Sequence, residues 1–254
     1  MGVLNLTPDS FSDGGEYNTL EKALHRAKQI EEEGADIIDI GGESTGPNSK
    51  YIPLERELKR VIPILKKIKR NIDIPISIDT YKSEVARQAV EEGADIVNDV
   101  TALRQDPKMV KIIKRYKCPL IIMYSKDNTP RTTIQNKNYK DVIKIIKLFL
   151  EKRINYAENH GIDKKQIIID PGLGNFISKI PKYSFEIIAR LNELRDFGNN
   201  ILIGASRKSF LGGEFKERDI KGIITAGIAY LNGASIIRTH NIKDTKEFFK
   251  KFNG

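Results

Sequence analysis

The sequence predicts an α/β fold, a (β/α)8 TIM barrel formed as a single domain over residues 1–254. Three observations point to it. The length of 254 residues matches the roughly 250 such a barrel takes. Short β-branched apolar runs alternate with amphipathic helical stretches eight times, the pattern of a parallel sheet closed on itself. One joint recurs: Glu33-Gly34-Ala35-Asp36-Ile37-Ile38, Glu92-Gly93-Ala94-Asp95-Ile96-Val97 and Asn232-Gly233-Ala234-Ser235-Ile236-Ile237. Its glycine can end a helix in the left-handed conformation. Its Ile/Val run suits a strand covered on both faces.

Taken in order, strands are expected at 2–6, 36–41, 74–78, 95–100, 119–124, 166–170, 200–204 and 235–239. Helices are expected at 20–33, 54–69, 82–92, 107–115, 139–159, 184–195, 220–232 and 243–251. No Gly-x-Gly-x-x-Gly follows the first strand, which argues against an open dinucleotide-binding sheet. Long connections follow strands one, two and five (residues 7–18, 42–53 and 125–138), where barrels of this kind carry their sites.

The net charge of +9 raises a nucleic-acid reading, but the sequence argues against it. The lysines of 61–70, 108–117 and 142–153 alternate with Ile, Leu and Val at helical spacing, as on solvated helix faces. No basic patch is interleaved with aromatics that would stack bases. The excess charge can still speed encounter with an anionic ligand. No run approaches the roughly 18 apolar residues of a membrane span. Met1 leads into Gly-Val-Leu-Asn-Leu without a basic region, so no signal peptide is expected. The single cysteine, Cys118, lies in an apolar run and reads as core. A cytoplasmic location is expected.

The strand ends carry the chemistry. Strand one ends at Asn5, followed by Thr7, Asp9 and Ser10. Strand two offers Asp39 and Glu43-Ser44-Thr45; strand three Asp79-Thr80; strand four Asn98-Asp99; strand six Asp170. Strands seven and eight supply Ser206-Arg207-Lys208, Arg238 and His240. Any one of these fits a helix N-cap. Together they form a set of polar groups that needs partners at one barrel mouth. Asp79, Asn98 and Asp170 suit a flat heterocycle with several N–H groups, whereas Lys208, Arg238 and His240 suit phosphate oxygens. No nucleophile triad is readable around Ser206 or Ser209. Three histidines and one cysteine, dispersed along the chain, make no transition-metal cluster. A Mg²⁺ carried in by phosphates needs only one or two protein oxygens, and Asn5 is a candidate.

At this point the chain resembles the dihydropteroate synthase family. Residues 1–15, MGVLNLTPDSFSDGG, are similar to its first signature, and Asp39-Ile-Gly-Gly-Glu-Ser-Thr45 to its second. Ser77-Ile-Asp-Thr80, Asn98-Asp-Val100, Asp170-Pro-Gly172, Gly204-Ala-Ser-Arg-Lys-Ser-Phe210 and Arg238-Thr-His240 follow in the family's order. The resemblance implies condensation of 6-hydroxymethyl-7,8-dihydropterin pyrophosphate with p-aminobenzoate. It implies catalytic roles for Asp79, Lys208, Arg238 and His240, and a pterin held by Asp79, Asn98, Asp170 and Lys208. Asn5, Arg238 and His240 are implied at the pyrophosphate, with Mg²⁺ on Asn5. Thr45, Pro47 and Ser206 are implied beside the aminobenzoate. It also implies a homodimer through helices late in the barrel.

The chain departs from the family pattern at four places. The second signature normally continues Arg-Pro; here it reads Gly46-Pro47, with Lys50 the nearest cation in sequence. After Asp170-Pro-Gly the family has an apolar residue and Gly-Phe-Gly-Lys; here the run is Leu173-Gly-Asn-Phe-Ile-Ser-Lys179. The fifth strand ends Met123-Tyr124-Ser125 where Met-His-Met is usual, a change expected to alter the pterin pocket. The usual Arg-x-His-Asp ends in Asn241. Most of these changes fall on the aminobenzoate side, which predicts a modified aryl amine or an altered response to sulfonamides. Two other readings share the residues. A pterin-dependent methyltransferase needs no pyrophosphate clamp, and a non-catalytic pterin-binding paralogue is compatible with Gly46.

Overall fold

The structure, a computed structural model, describes residues 1–6 and 20–253, without the side chains of residues 252 and 253. Thr7, Asp9, Ser10 and the remainder of the first signature up to Gly15 lie outside the described residues.

Among the described residues eight strands and eight α-helices alternate. They are β1 Gly2–Asn5, α1 Leu20–Glu32, β2 Ile38–Gly41, α2 Leu54–Lys69, β3 Ile76–Asp79, α3 Ser83–Glu91, β4 Ile96–Asp99 and α4 Met109–Tyr116. Then follow β5 Leu120–Met123, α5 Val142–Asn159, β6 Ile167–Asp170, α6 Pro181–Ala189, β7 Asn200–Ile203, α7 Phe215–Leu231, β8 Ile236–Ile237 and α8 Ile242–Asn253. The strands pair in parallel in chain order from β1 to β8. A parallel bridge between Gly2 and Thr239 closes the ring. Val3 N donates to Thr239 O at 3.1 Å, and Thr239 N to Met1 O at 3.0 Å.

The recurring joint behaves as its sequence predicts. Gly34, Gly93 and Gly233 have φ of +91°, +104° and +105°, a region costly for any residue with a Cβ. Three helices start three or more residues from where they are expected: α5 starts three residues late, at Val142, where the Asp141 side chain caps it, and α6 and α7 start early. α6 starts three residues early because Pro181 sits at its first turn, where a missing N–H costs nothing. Its expected second half is instead a 3-10 stretch, Leu191–Phe197, stopped by Gly198. α7 starts five residues early on a reciprocal cap between Glu214 and Glu217.

Strand alternation divides the core. Outward residues such as Ile40, Ile78, Leu120, Ile122 and Ile203 pack under the helices. Inside the barrel, Met1, Ile96, Ile121, Ile168 and Leu202 form a separate buried apolar layer with Ile37 and Ile236. Most interior positions further along the strands, among them Asn5, Asp39, Ser77, Asp79, Asn98 and Asp170, are polar, and the site is built there.

Candidate active site

The same inward parity that makes the apolar layer brings polar side chains together one step higher. Asn5, Gly41 and Asp79 are register neighbours across β1, β2 and β3, and Asp79 pairs with Asn98 on β4. Arg238, just beyond β8, reaches across this group. Its Nε donates to Asp39 Oδ2 at 2.7 Å and its Nη2 to Asp79 Oδ2 at 3.1 Å. Asn98 Nδ2 donates to Asp39 Oδ2 at 3.4 Å. Asp39 is fully buried. Among the described residues its Oδ1 and the neighbouring Ser77 Oγ have no hydrogen-bond partner.

This corrects the expected division into a carboxylate half and a cationic half: Arg238 stands among the carboxylates. Two acids around one guanidinium leave excess negative charge. Burial, then repulsion from Asp39, pushes the Asp79 carboxyl up to about 7, with Arg238 opposing. Burial works against the charge on Arg238, but Asp39 and Asp79 more than offset it and hold it protonated.

Asp170 and Lys208 form a second group. Asp170 Oδ1 accepts from Gly172 N at 2.7 Å. Burial raises the Asp170 carboxyl, and Lys208 pulls it back. Lys208 Nζ donates to Leu173 O at 3.2 Å and lies 5.4 Å from the Phe176 ring centre. Burial lowers the Lys208 ammonium to about 8, with Asp170 opposing, so it remains largely charged at neutral pH. The Asp170–Arg238 attraction ties this group to the first.

His240 and Ser206 form a third. The Ser206 hydroxyl accepts from His240 N at 3.2 Å and lies 3.1 Å from His240 Nδ1. Burial, then the charges of Arg238 and Arg207, push the imidazole down to about 3. His240 is therefore a neutral hydrogen-bonding group. Arg207, at φ +60°, turns outward: its guanidinium binds Asp219 at 2.9 Å and covers the Phe215 ring.

Thr45 and Pro47 lie half-buried in the loop after β2, where Thr45 O accepts from Thr132 N at 3.1 Å. The turn that carries Gly46 is closed by Ser49 Oγ on Gly46 O at 2.7 Å. No hydrogen bond joins Thr45 or Pro47 to Ser206 among the described residues. Lys50 is exposed. Lys82 and Arg131 are instead the cations paired with Glu43 of the second signature.

Other strand-end residues are structural. Asp99 caps the following turn through Thr101 N at 2.8 Å and Leu103 N at 2.8 Å. Thr80 Oγ1 donates to Glu57 at 2.8 Å. Tyr124, expected to reshape the pocket, faces the helices: its ring stacks edge-on against Phe149 at 5.2 Å, and its hydroxyl meets Tyr139. The inward residue at the C-terminal end of β5 is Met123. Asn241 accepts from Asp244 N at 3.4 Å, doing at the start of α8 the capping work an aspartate would do.

Asp39, in sequence only one polar residue among several at the strand ends, stands at the centre of the site. Alternation gives it away, since Asp39 and Gly41 share the inward parity. Phe176, within the run that departs from the family pattern, lies beside Lys208. Nothing in sequence spacing marked Glu57, Lys82 and Arg131, which gather from two helical segments and a loop.

Among the described residues no cluster of three or more His, Cys, Asp or Glu could hold a metal. A single amide oxygen at Asn5, beside Gly41 and Asp79, fits Mg²⁺, which keeps most of its ligands from water and phosphate.

A closed (β/α)8 barrel with buried acids, an amide, a lysine and an arginine at one mouth defines an enzyme class that seats a polar heterocycle next to an anion. Comparison with known proteins makes this specific. The chain belongs to the family described as pterin binding enzyme, whose model matches residues 1–240. A dihydropteroate synthase of Synechocystis sp. is 40% identical over 255 residues, covering 98% of this chain and 87% of that protein. The crystal structure of the Yersinia pestis dihydropteroate synthase with a sulfonamide drug complex superposes with a TM-score of 0.94 at 35% identity. That match covers 100% of this chain and 92% of the other. The Xanthomonas albilineans dihydropteroate synthase in complex with 7,8-dihydropteroate gives 0.86 at 34%, covering 100% and 91%.

Proposed function

We propose that the protein carries out the dihydropteroate synthase reaction, joining 6-hydroxymethyl-7,8-dihydropterin pyrophosphate to p-aminobenzoate in folate biosynthesis. The observation that supports it most is the inward convergence of Asp79, Asn98, Asp170, Lys208 and Arg238 on one mouth of the barrel. That the relatives carry this activity favours the same reading.

In this reading Asp79, Asn98, Asp170 and Lys208 hold the pterin. The carboxylates accept from its amino and ring N–H groups, and Lys208 donates to a ring acceptor. The bond from the pterin methylene to the diphosphate oxygen breaks, and its electron pair leaves with pyrophosphate. The aniline nitrogen lone pair forms the new C–N bond, and that nitrogen then releases a proton. Arg238 and His240 donate to the departing oxygens, Arg238 with charge and His240 as a neutral N–H. Such donors aimed at developing negative charge are each worth about 3 kcal/mol. Asn5 would hold Mg²⁺, which supplies further neutralisation of the diphosphate. Thr45, Pro47 and Ser206 border the aminobenzoate.

The barrel formed by residues 1–254 is taken as the working unit, acting in the cytoplasm as a homodimer. Supporting a dimer, Ile220, Ile224, Ile228 and Leu231 form an apolar stripe on α7, with exposures of 66, 52, 46 and 68%. Sedimentation of wild type against Ile224→Arg reads this: a dimer that the substitution dissociates is expected, and a wild-type monomer would refute it.

The deciding experiment incubates the protein with dihydropterin pyrophosphate and Mg²⁺, with and without p-aminobenzoate. Pyrophosphate release that depends on p-aminobenzoate, together with dihydropteroate formation, is the expected result. Bound pterin without any release would favour a non-catalytic role.

A further inference from the structure

A second charged cluster lies beside the site, and the chemistry above does not use it. Lys82 Nζ donates to Glu43 Oε2 and to Glu57 Oε2, each at 2.6 Å. Glu43 also accepts from Tyr81 OH at 3.1 Å and from Ile52 N at 3.3 Å. The side chains of Glu43 and Glu57 are 2% and 1% exposed. Two buried carboxylates and one ammonium leave an uncompensated negative charge, which is costly to bury. Arg131 supplies the second cation. It comes from the loop after β5, pairs with Glu43 and stacks its guanidinium over Tyr51 at 5.4 Å.

The adjacent residue continues the grip. Thr132 N donates to Thr45 O at 3.1 Å. Neighbouring residues of one loop thus hold the second signature at Glu43 and at Thr45, on either side of Ser44. The same loop is fixed at its other flank. Lys126 Nζ donates to Asn175 O at 2.7 Å, Thr132 Oγ1 donates to the same oxygen at 2.8 Å, and Lys126 N donates to Phe176 O at 2.9 Å. A continuous run of hydrogen bonds and ion pairs therefore leads from Thr45, through Arg131 and Thr132, to the segment beneath Lys208.

We propose that Arg131 is a positioning residue for the second substrate: by pairing with Glu43 it locks the loop after β5 onto the loop after β2 and fixes Thr45 and Pro47. This rests on the reading that Thr45 and Pro47 border p-aminobenzoate. It explains how a chain with Gly46 in place of an arginine keeps that wall in place. The charge comes from a different loop and acts on the protein, not on the substrate.

Arg131→Met and Arg131→Lys test this, with Arg131→Gln in reserve if the first does not fold. Two readouts are needed: both KM values, and backbone hydrogen exchange. For Arg131→Met, the KM for p-aminobenzoate is expected to rise about tenfold or more, while that for dihydropterin pyrophosphate stays within about twofold. Exchange over residues 43–52 and 129–135 is expected to quicken about tenfold, while residues 166–170 stay unchanged. Arg131→Lys, which keeps the charge, is expected to recover most of both effects. Unchanged exchange over 43–52, or an equal rise in both KM values, would overturn the proposal. A wild-type protein that forms no dihydropteroate would overturn the functional reading alone, because the exchange measurement still decides the lock.

Discussion

Arg238 and Asp39 lie 199 residues apart in sequence and are joined across the barrel by a 2.7 Å charge-assisted hydrogen bond. The carboxylate is fully buried, and the guanidinium turns from it to Asp79. Asp39 therefore sets the direction in which the barrel's central cation points.

Replacing Asp39 by Asn keeps the shape and removes the charge. Breaking a buried ion pair from one side costs about 3 kcal/mol or more, and loss of about that much stability is expected in urea unfolding. The Asp79 carboxyl should also ionise at lower pH, because Asp39 is among the groups that raise it. Wild-type stability in Asp39→Asn would contradict the arrangement.

The raised Asp79 carboxyl, near 7 against 3.8 for a free aspartate, has a definite sign in stability. Between these pH values the folded protein binds the proton more tightly than the unfolded chain. Stability from this group is therefore present at low pH and is lost as pH rises toward 7. Asp79→Asn should remove that slope and be the more stable protein above pH 7. Urea melts of both proteins from pH 5 to 8 measure it; parallel curves would refute it.

His240 loses its proton at about pH 3, so it should add no inflection to the rate between pH 5 and 8. His240→Gln is expected to lower kcat/KM about a hundredfold at every pH in that range, leaving the profile's shape unchanged. A wild-type inflection near 6.5 that disappears in the variant would show a titrating imidazole instead.

Gly172 follows Asp170-Pro171 at φ +69°, and a Cβ there would fall 2.4 Å from Tyr124 O. Gly172→Ala must move either its own turn or β5. It is expected to cost more than about 1 kcal/mol and to weaken pterin binding, because Gly172 N holds Asp170. Thermal melting and pterin titration read the two effects separately.

The barrel was legible because strands buried on both faces read as Ile/Val runs, and because the Gly34, Gly93 and Gly233 joints repeat. The starts of α6 and α7 were less so: Pro181 and Glu214 are local capping devices outside the apolar pattern. Within the site, strand-end position identified which residues gather, since inward parity follows from a period of two. It did not show which would pair. Arg238 has the composition of an anion clamp and sits on two acids. His240 has the composition of a cation, and burial strips its proton. The Arg131–Glu43 contact joins two long loops, where no periodicity exists to read.

The apolar layer of Met1, Ile96, Ile121, Ile168 and Leu202 turns the barrel into a cup. Asp39 and Ser77 stand directly above this layer, so the polar part of the interior faces the mouth at the C-terminal ends of the strands. The floor of the cup is thus laid by apolar side chains from five separate segments of the chain.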